Sequence, residues 1–266
     1  MSEARVTRYV LGAWSALVLL FLFIPIAIIV VYAFNSSNIQ SWPIAGWTTR
    51  WFVAAWRDHE IRDAFWLSVK AGLVATGIAL LLGTLASFAV HRFRFFGREA
   101  ISFVVVLPIA LPGIITGMAF NSLFVFANID LSFWTIVVGH ATFCIVIVYN
   151  NVIARLRRTQ TSLIEASMDL GADGLQTFRH VTLPVVSTAL VAGGLLAFAL
   201  SFDEVIVTTF TAGAQNTLPL WIFGSIRLGQ HLPEVNVVVV VVIAVTLVPV
   251  IIAQRLTRDT GVLKRR

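Results

Sequence analysis

Apolar residues run along this chain in long, nearly unbroken stretches. Six are long and apolar enough to cross a bilayer as helices, which takes about 20 residues each. They are Val10 to Phe34, Ala64 to Val90, Ala100 to Ala127, Ser132 to Ala154, Pro184 to Phe202 and Val235 to Ala253. Runs such as Val237 to Val242 do not alternate, so the period-two pattern of a transmembrane barrel is excluded. The first stretch follows Arg5 and Arg8 but is too long for the apolar segment of a signal peptide, and no small-residue cleavage site follows it. It is predicted to be a retained helix. The expected architecture is all-α: a polytopic membrane protein with six transmembrane helices, forming a single domain over residues 1–266.

Within span three, Pro108 and Pro112 each remove a backbone hydrogen bond, which predicts a kink. Gly113 and Gly117 give the same span a small-residue face that another helix can approach closely, either for packing or as the wall of a pathway. Two segments between spans exceed tight turns. Asn35 to Asp63 carries Trp42, Trp47, Trp51 and Trp56. Trp47 and Trp51 are one helical turn apart with Trp56 near the same face. This predicts an interfacial helix with its indoles at headgroup level, or an aromatic surface for a partner or cationic ligand. Asp203 to Glu234 contains an apolar stretch from Thr217 to Phe223 that is too short to span, and predicts a re-entrant or interfacial helix.

Composition narrows the function. With 58% hydrophobic and only 12% charged residues, the chain is not an ordinary soluble enzyme. A net charge of +6 suggests nucleic acid until the basic residues are located. With six spans, 14 of the 19 lysines and arginines fall on the side shared by both termini, which predicts that both termini are cytoplasmic. Seven of the 13 acids fall on the other side. The basic charge thus reflects topology, and the acidic outer side mildly favours a cationic solute. The lone Cys144 excludes a disulfide framework and a cysteine zinc site, and is expected to be a small buried hydrophobe. No residues have metal-ligand spacing and no Ser/His/Asp set looks catalytic, so neither a metal site nor an enzyme is expected. His140, in mid-span four, is either a proton relay or a helix–helix hydrogen bond. Lys70 can snorkel out of span two.

The loop between spans four and five, residues 155–183, holds the most specific pattern. Ser162 with Glu165 reads as a capping box, Leu163, Ala166 and Leu170 share one face, and Gly171 suits a helix C-terminus with φ > 0. Asp173 with Gln176 reads as a second capping box, and Pro184 suits the first turn of the next helix. A compact helical hairpin is predicted, of the kind that receives force from a partner.

These residues resemble the EAA motif of ABC importer permeases. Glu165-Ala166-Ser167 is followed by Gly171 at the family's spacing and then by Val181-Thr182-Leu183-Pro184, with Ser167 and Val181 replacing the family's Ala and Ile. The resemblance implies the type I importer transmembrane fold. It also implies that Glu165, Ala166, Asp169, Leu170, Gly171, Leu183 and Pro184 couple the chain to a cytoplasmic ATPase. Further segments are similar to the shorter permease of spermidine/putrescine-type importers: Phe34-Asn35-Ser36-Ser37, Thr48-Thr49-Arg50-Trp51, Ser201-Phe202-Asp203-Glu204-Val205, Leu218-Pro219-Leu220 and Pro233-Glu234-Val235-Asn236. Gly113 and Glu204 depart from that pattern, where such relatives often carry an acid and an Asp. The implied solute pathway includes Trp51, Ser201, Asp203 and Glu204. Asp203 and Glu204 also admit plain solvation or an ion pair with Lys70 or Arg227.

The implied partners are a second homologous permease, an ATPase dimer and an extracytoplasmic solute-binding protein, around a subunit in the bacterial plasma membrane. No Gly-x-x-x-x-Gly-Lys-Ser/Thr loop exists, and the only lysines are Lys70 and Lys264. ATP and magnesium are therefore expected on the ATPase partner, with no cofactor in this chain. A stand-alone secondary transporter or channel is the rival class; it would act without ATP and without partner subunits.

Overall fold

A computed structural model describes the backbone of residues 2–246 and the side chains of residues 7–246. The described residues are mainly helical, and the single β-type contact among them is an isolated bridge between Asn35 and Trp47. Long helices are α1 (Ser2–Ala33), α3 (His59–Arg92), α6 (Phe133–Arg158) and α9 (Leu183–Phe202). Shorter ones are α2 (Arg50–Arg57), α4 (Arg98–Ala110), α5 (Gly113–Phe126), α7 (Thr161–Asp169), α8 (Gly174–Thr177), α10 (Ile206–Thr211), α11 (Leu218–Leu228) and α12 (Leu232–Thr246). The rest of the expected sixth span, 247–253, lies outside the described residues.

Four helical stretches are long and apolar enough to cross a membrane: Thr7–Ala33, His59–Arg92, Phe133–Arg158 and Gly174–Phe202. The predicted third span is more than kinked. It is two helices, α4 and α5, bent by 105° at Leu111-Pro112. Pro108 is tolerated inside α4, but Pro112 stands just before α5 with ψ of 132°. Leu111 before it is also extended, as a residue preceding proline tends to be.

The helices gather into two compact units, one of residues 62–223 and one of the flanking segments up to Ile61 and from Gly224 onward. In the first unit α6 is the central helix: Ile136, Val137, Val146, Val148 and Val152 are fully buried. It packs along α9. Lipid is as apolar as these side chains, so close packing and interhelical hydrogen bonds must hold them together. The glycine face expected on span three has that use. A Cβ at Gly117 would lie 2.6 Å from the Phe210 ring, so only glycine lets α10 settle against α5. Gly113 meets Ile206 of the same short helix.

In the other unit the helix expected between Asn35 and Asp63 is confined to α2, which holds Trp51 and Trp56 but not Trp47. Residues 35–49 are an irregular loop built around Asn35, which is 1% exposed. Its Oδ1 accepts the Ser37 and Ala45 N–H groups at 3.2 Å each. Trp47 sits in the bridge to Asn35, outside α2, so Trp47 and Trp51 do not share a helical face. A side chain that satisfies backbone groups across the loop competes successfully with helix formation here.

Candidate coupling hairpin and solute pathway

The loop between α6 and α9 folds as the predicted hairpin. Its start differs from expectation. Gln160 is the N-cap of α7 and makes no side-chain cap, and Ser162 lies inside the first turn, so the Ser162–Glu165 capping box is absent. The far end follows the sequence closely. Gly171 has φ of +87°. Its N–H donates to the Met168 carbonyl at 2.9 Å, and the Ala172 N–H donates to the Ser167 carbonyl at 3.1 Å. Those two bonds are a Schellman ending. Asp173 then caps α8 reciprocally with Gln176, at 2.8 and 3.0 Å. Ser167, the departure from the motif, is hydrogen-bonded to Thr177 at 3.1 Å and joins the two limbs.

From Gly174 the chain runs unbroken to Phe202. A π-helical turn at Phe178–Thr182, closed by the Leu183 N–H to the Phe178 carbonyl, leads into α9 with Pro184 in its first turn. The wider turn accommodates the proline's missing donor and its bulk. Arg155 Nε donates to the Val185 carbonyl at 2.9 Å and ties the end of α6 to the start of α9. Glu165, Ala166, Asp169, Leu170, Gly171, Leu183 and Pro184 are all exposed. With Leu170 89% and Leu175 75% exposed, the hairpin presents bare apolar side chains, the mark of a contact surface.

At the other end of this continuous helix, α9 stops at Phe202 and Asp203 is its C-cap. Asp203 is exposed. Glu204 turns back to its own chain, its Oε1 accepting the Val207 N–H at 2.9 Å and so starting α10. Ser201 is buried, and its hydroxyl lies 2.8 Å from His140 Nδ1. His140 Nε2 lies 2.8 Å from Thr208 Oγ1, which donates to the Glu204 carbonyl at 2.6 Å. Thr208 has one hydroxyl proton, so it must accept from His140. His140 Nε2 therefore carries a proton and donates to it. The helix–helix alternative for His140 is the one realised: a polar ladder links α6, α9 and α10 behind the two acids. Sequence reading named Ser201 and considered His140 but missed Thr208 as their partner. The one available signal was the polar run Thr208-Thr209-x-Thr211 in an otherwise apolar chain.

Trp51 belongs to the other unit. It is half-buried, its Nε1–H donates to the Asn35 carbonyl at 2.8 Å, and the Arg50 guanidinium lies 4.2 Å from its ring centre. One cation thus already stacks on this indole. Trp51 also lines a pocket of about 250 Å³ with Asn38, His231 and Glu234. The structure therefore joins Ser201 and Glu204 through hydrogen bonds, leaves Asp203 at the surface beside them, and gives Trp51 a setting of its own. Cys144 is fully buried and donates to the Ala197 carbonyl at 3.2 Å, as an interior side chain.

Comparison with known proteins identifies the family and the fold. Residues 79–259 match the family described as binding-protein-dependent transport system inner membrane component. The chain is 38% identical over 236 residues to the putrescine transport system permease protein PotI of Escherichia coli (strain K12), covering 84% of this chain and 83% of that one. It is 32% identical over 254 residues to the spermidine/putrescine transport system permease protein PotC of the same organism, covering 95% of each. Among solved structures, a chain of a bacterial ABC transporter involved in the import of the acidic polysaccharide alginate shares the fold. Its TM-score is 0.70 at 16% identity, over 97% of this chain and 98% of that chain. Family match, relatives and fold coincide: this chain belongs to the binding-protein-dependent transport system inner membrane components, and is a permease subunit of an ABC importer.

Proposed function

We propose that this permease carries a small organic cation of the putrescine or spermidine class. The observation that carries the reading is the 38% and 32% identity, over most of the chain, to permeases named for those solutes. The exposed Asp203 carboxylate beside Glu204 supports it, because an ammonium group needs such a partner near the membrane boundary. The chain crosses the membrane six times as a single domain, the last span running through residues 235–253, with both termini cytoplasmic in a bacterial plasma membrane. It forms half of the pathway with a second homologous permease. An ATPase dimer, which holds ATP and magnesium, lies below, and an extracytoplasmic binding protein docks above.

In this mechanism ATP closes the ATPase dimer and moves the hairpin at Glu165, Ala166, Asp169 and Leu170. The unbroken helix from Gly174 to Phe202 has 29 residues, or about 43 Å. It delivers that motion to the corner at Ser201, Asp203 and Glu204, which alternates between outward and inward access. The test is radiolabelled putrescine and spermidine uptake by the assembled transporter, beside neutral and anionic solutes. A charge pair is worth about 4 kcal/mol at an effective dielectric of about 20, before desolvation and screening, whereas a cation on an indole gives about 0.5–2. Asp203→Asn is thus expected to lower uptake more than Trp51→Leu. Normal uptake by Asp203→Asn, or preference for a neutral or anionic solute, would remove the polyamine reading while leaving family membership intact.

A further inference from the structure

A second cavity, of about 470 Å³, opens at the base of α6 and α9, beside the hairpin. Asn150, Asn151, Arg155, Arg158 and Thr188 line it, and no carboxylate does. Two guanidinium groups, two amides and a hydroxyl are a donor set for an anion, since the fork of an arginine matches phosphate oxygens and keeps its charge at every relevant pH. Arg155 spends one of its five donors on the Val185 carbonyl. Asn151 donates to the Ile147 carbonyl at 2.9 Å, which fixes that amide.

Depth decides which anion the cavity meets. α6 has 26 residues, about 39 Å of helix, against a hydrocarbon core of about 30 Å. Trp134, exposed in its first turn, suits one interface. From there the core ends near Ile153, and the last turn with Arg155 and Arg158 stands at the level of lipid phosphates. Asn150 and Asn151 lie at the boundary, where uncompensated amides facing hydrocarbon would be costly. Basic pockets between transmembrane helices at this depth suit acidic headgroups.

We propose that this cavity binds the phosphodiester headgroup of an anionic phospholipid, with Arg155 and Arg158 as its charged ligands. The lipid would brace the α6–α9 junction at the point where the hairpin enters α9. The proposal needs α6 to cross the membrane and is independent of the solute. A free phosphate ion shares the chemistry, so the experiment separates the two sources.

The assembled transporter is purified, exposed to mixed phosphatidylglycerol and phosphatidylcholine, and examined by native mass spectrometry, which reports assembly and bound lipid together. Wild type should retain phosphatidylglycerol in preference to phosphatidylcholine. Arg158→Gln should weaken that retention about tenfold, the effect of one charge-assisted partner, and Arg158→Lys should weaken it less. Arg94→Gln, an exposed basic residue outside the cavity, should change nothing. Equal retention of the two lipids, or unchanged retention in an assembled Arg158→Gln complex, would overturn the proposal, as would an equal loss in Arg94→Gln. Displacement of the lipid by inorganic phosphate would assign the cavity to a free anion and overturn the lipid as occupant.

Discussion

The Gly171 turn offers a perturbation whose cost can be assigned to one cause. At φ of +87° an L side chain is strained, yet a Cβ placed there meets nothing within 4 Å. Substitution therefore costs backbone conformation and not collision. Left-handed geometry disfavours ordinary residues by about 1–2 kcal/mol, least for Asn and most for β-branched side chains. Gly171→Val either bears that strain or leaves the geometry and breaks the Gly171–Met168 and Ala172–Ser167 bonds, each with a net value of about 1 kcal/mol. A cost of about 1–2 kcal/mol by either route is enough to loosen a surface turn, because each 1.4 kcal/mol shifts its equilibrium about tenfold.

Two measurements follow from this cost. Hydrogen exchange at the Gly171 and Ala172 amides should accelerate in the order Gly, Asn, Ala, Val. Uptake per ATP hydrolysed by the reconstituted transporter should fall in the same order, with the subunit still in the membrane. Dependence on side-chain volume in place of left-handed tolerance, with Asn worse than Ala, would refute the reasoning. Wild-type coupling in Gly171→Val despite fast exchange would show that the turn does not transmit force.

Two further outcomes are expected. His140→Leu strands the buried Ser201 hydroxyl, while Thr208 keeps its bond to the Glu204 carbonyl, and should lower the thermal unfolding midpoint of the solubilised protein, the orphaned group costing about 1–3 kcal/mol; a midpoint equal to wild type would disprove the ladder. Gly117→Val puts a branched side chain where a Cβ is already 2.6 Å from Phe210 and should reduce assembled transporter in the membrane through about 1–3 kcal/mol of overpacking, whereas unaltered yield and stability would show that α10 is not seated on α5.

Local chemistry made part of this molecule legible. The Asp173–Gln176 box, the Gly171 ending and the stop of α9 at Phe202 depend on neighbours within a few residues, and each formed as the sequence indicates. Ser162 and Glu165 satisfied the same local rule and failed it, because α7 begins two residues earlier than that box requires and places Ser162 within the helix. A capping pattern therefore does not by itself fix a helix start to the residue.

The illegible parts are those set by distant partners. Nothing near Trp47 in sequence reveals that its backbone pairs with Asn35. Nothing near His140 reveals that Ser201 and Thr208 come to it from 61 and 68 residues away. A buried imidazole must find two partners, so its presence in an apolar helix announces that a ladder exists without saying where it leads. That ladder backs Ser201, Thr208 and the Glu204 carbonyl, and it leaves the Asp203 carboxylate outside its bonds. A fixed scaffold with one exposed acid at its edge fits the cation site proposed for this corner: there the corner would keep its shape as solute arrives and leaves, and only the exposed charge would change partners.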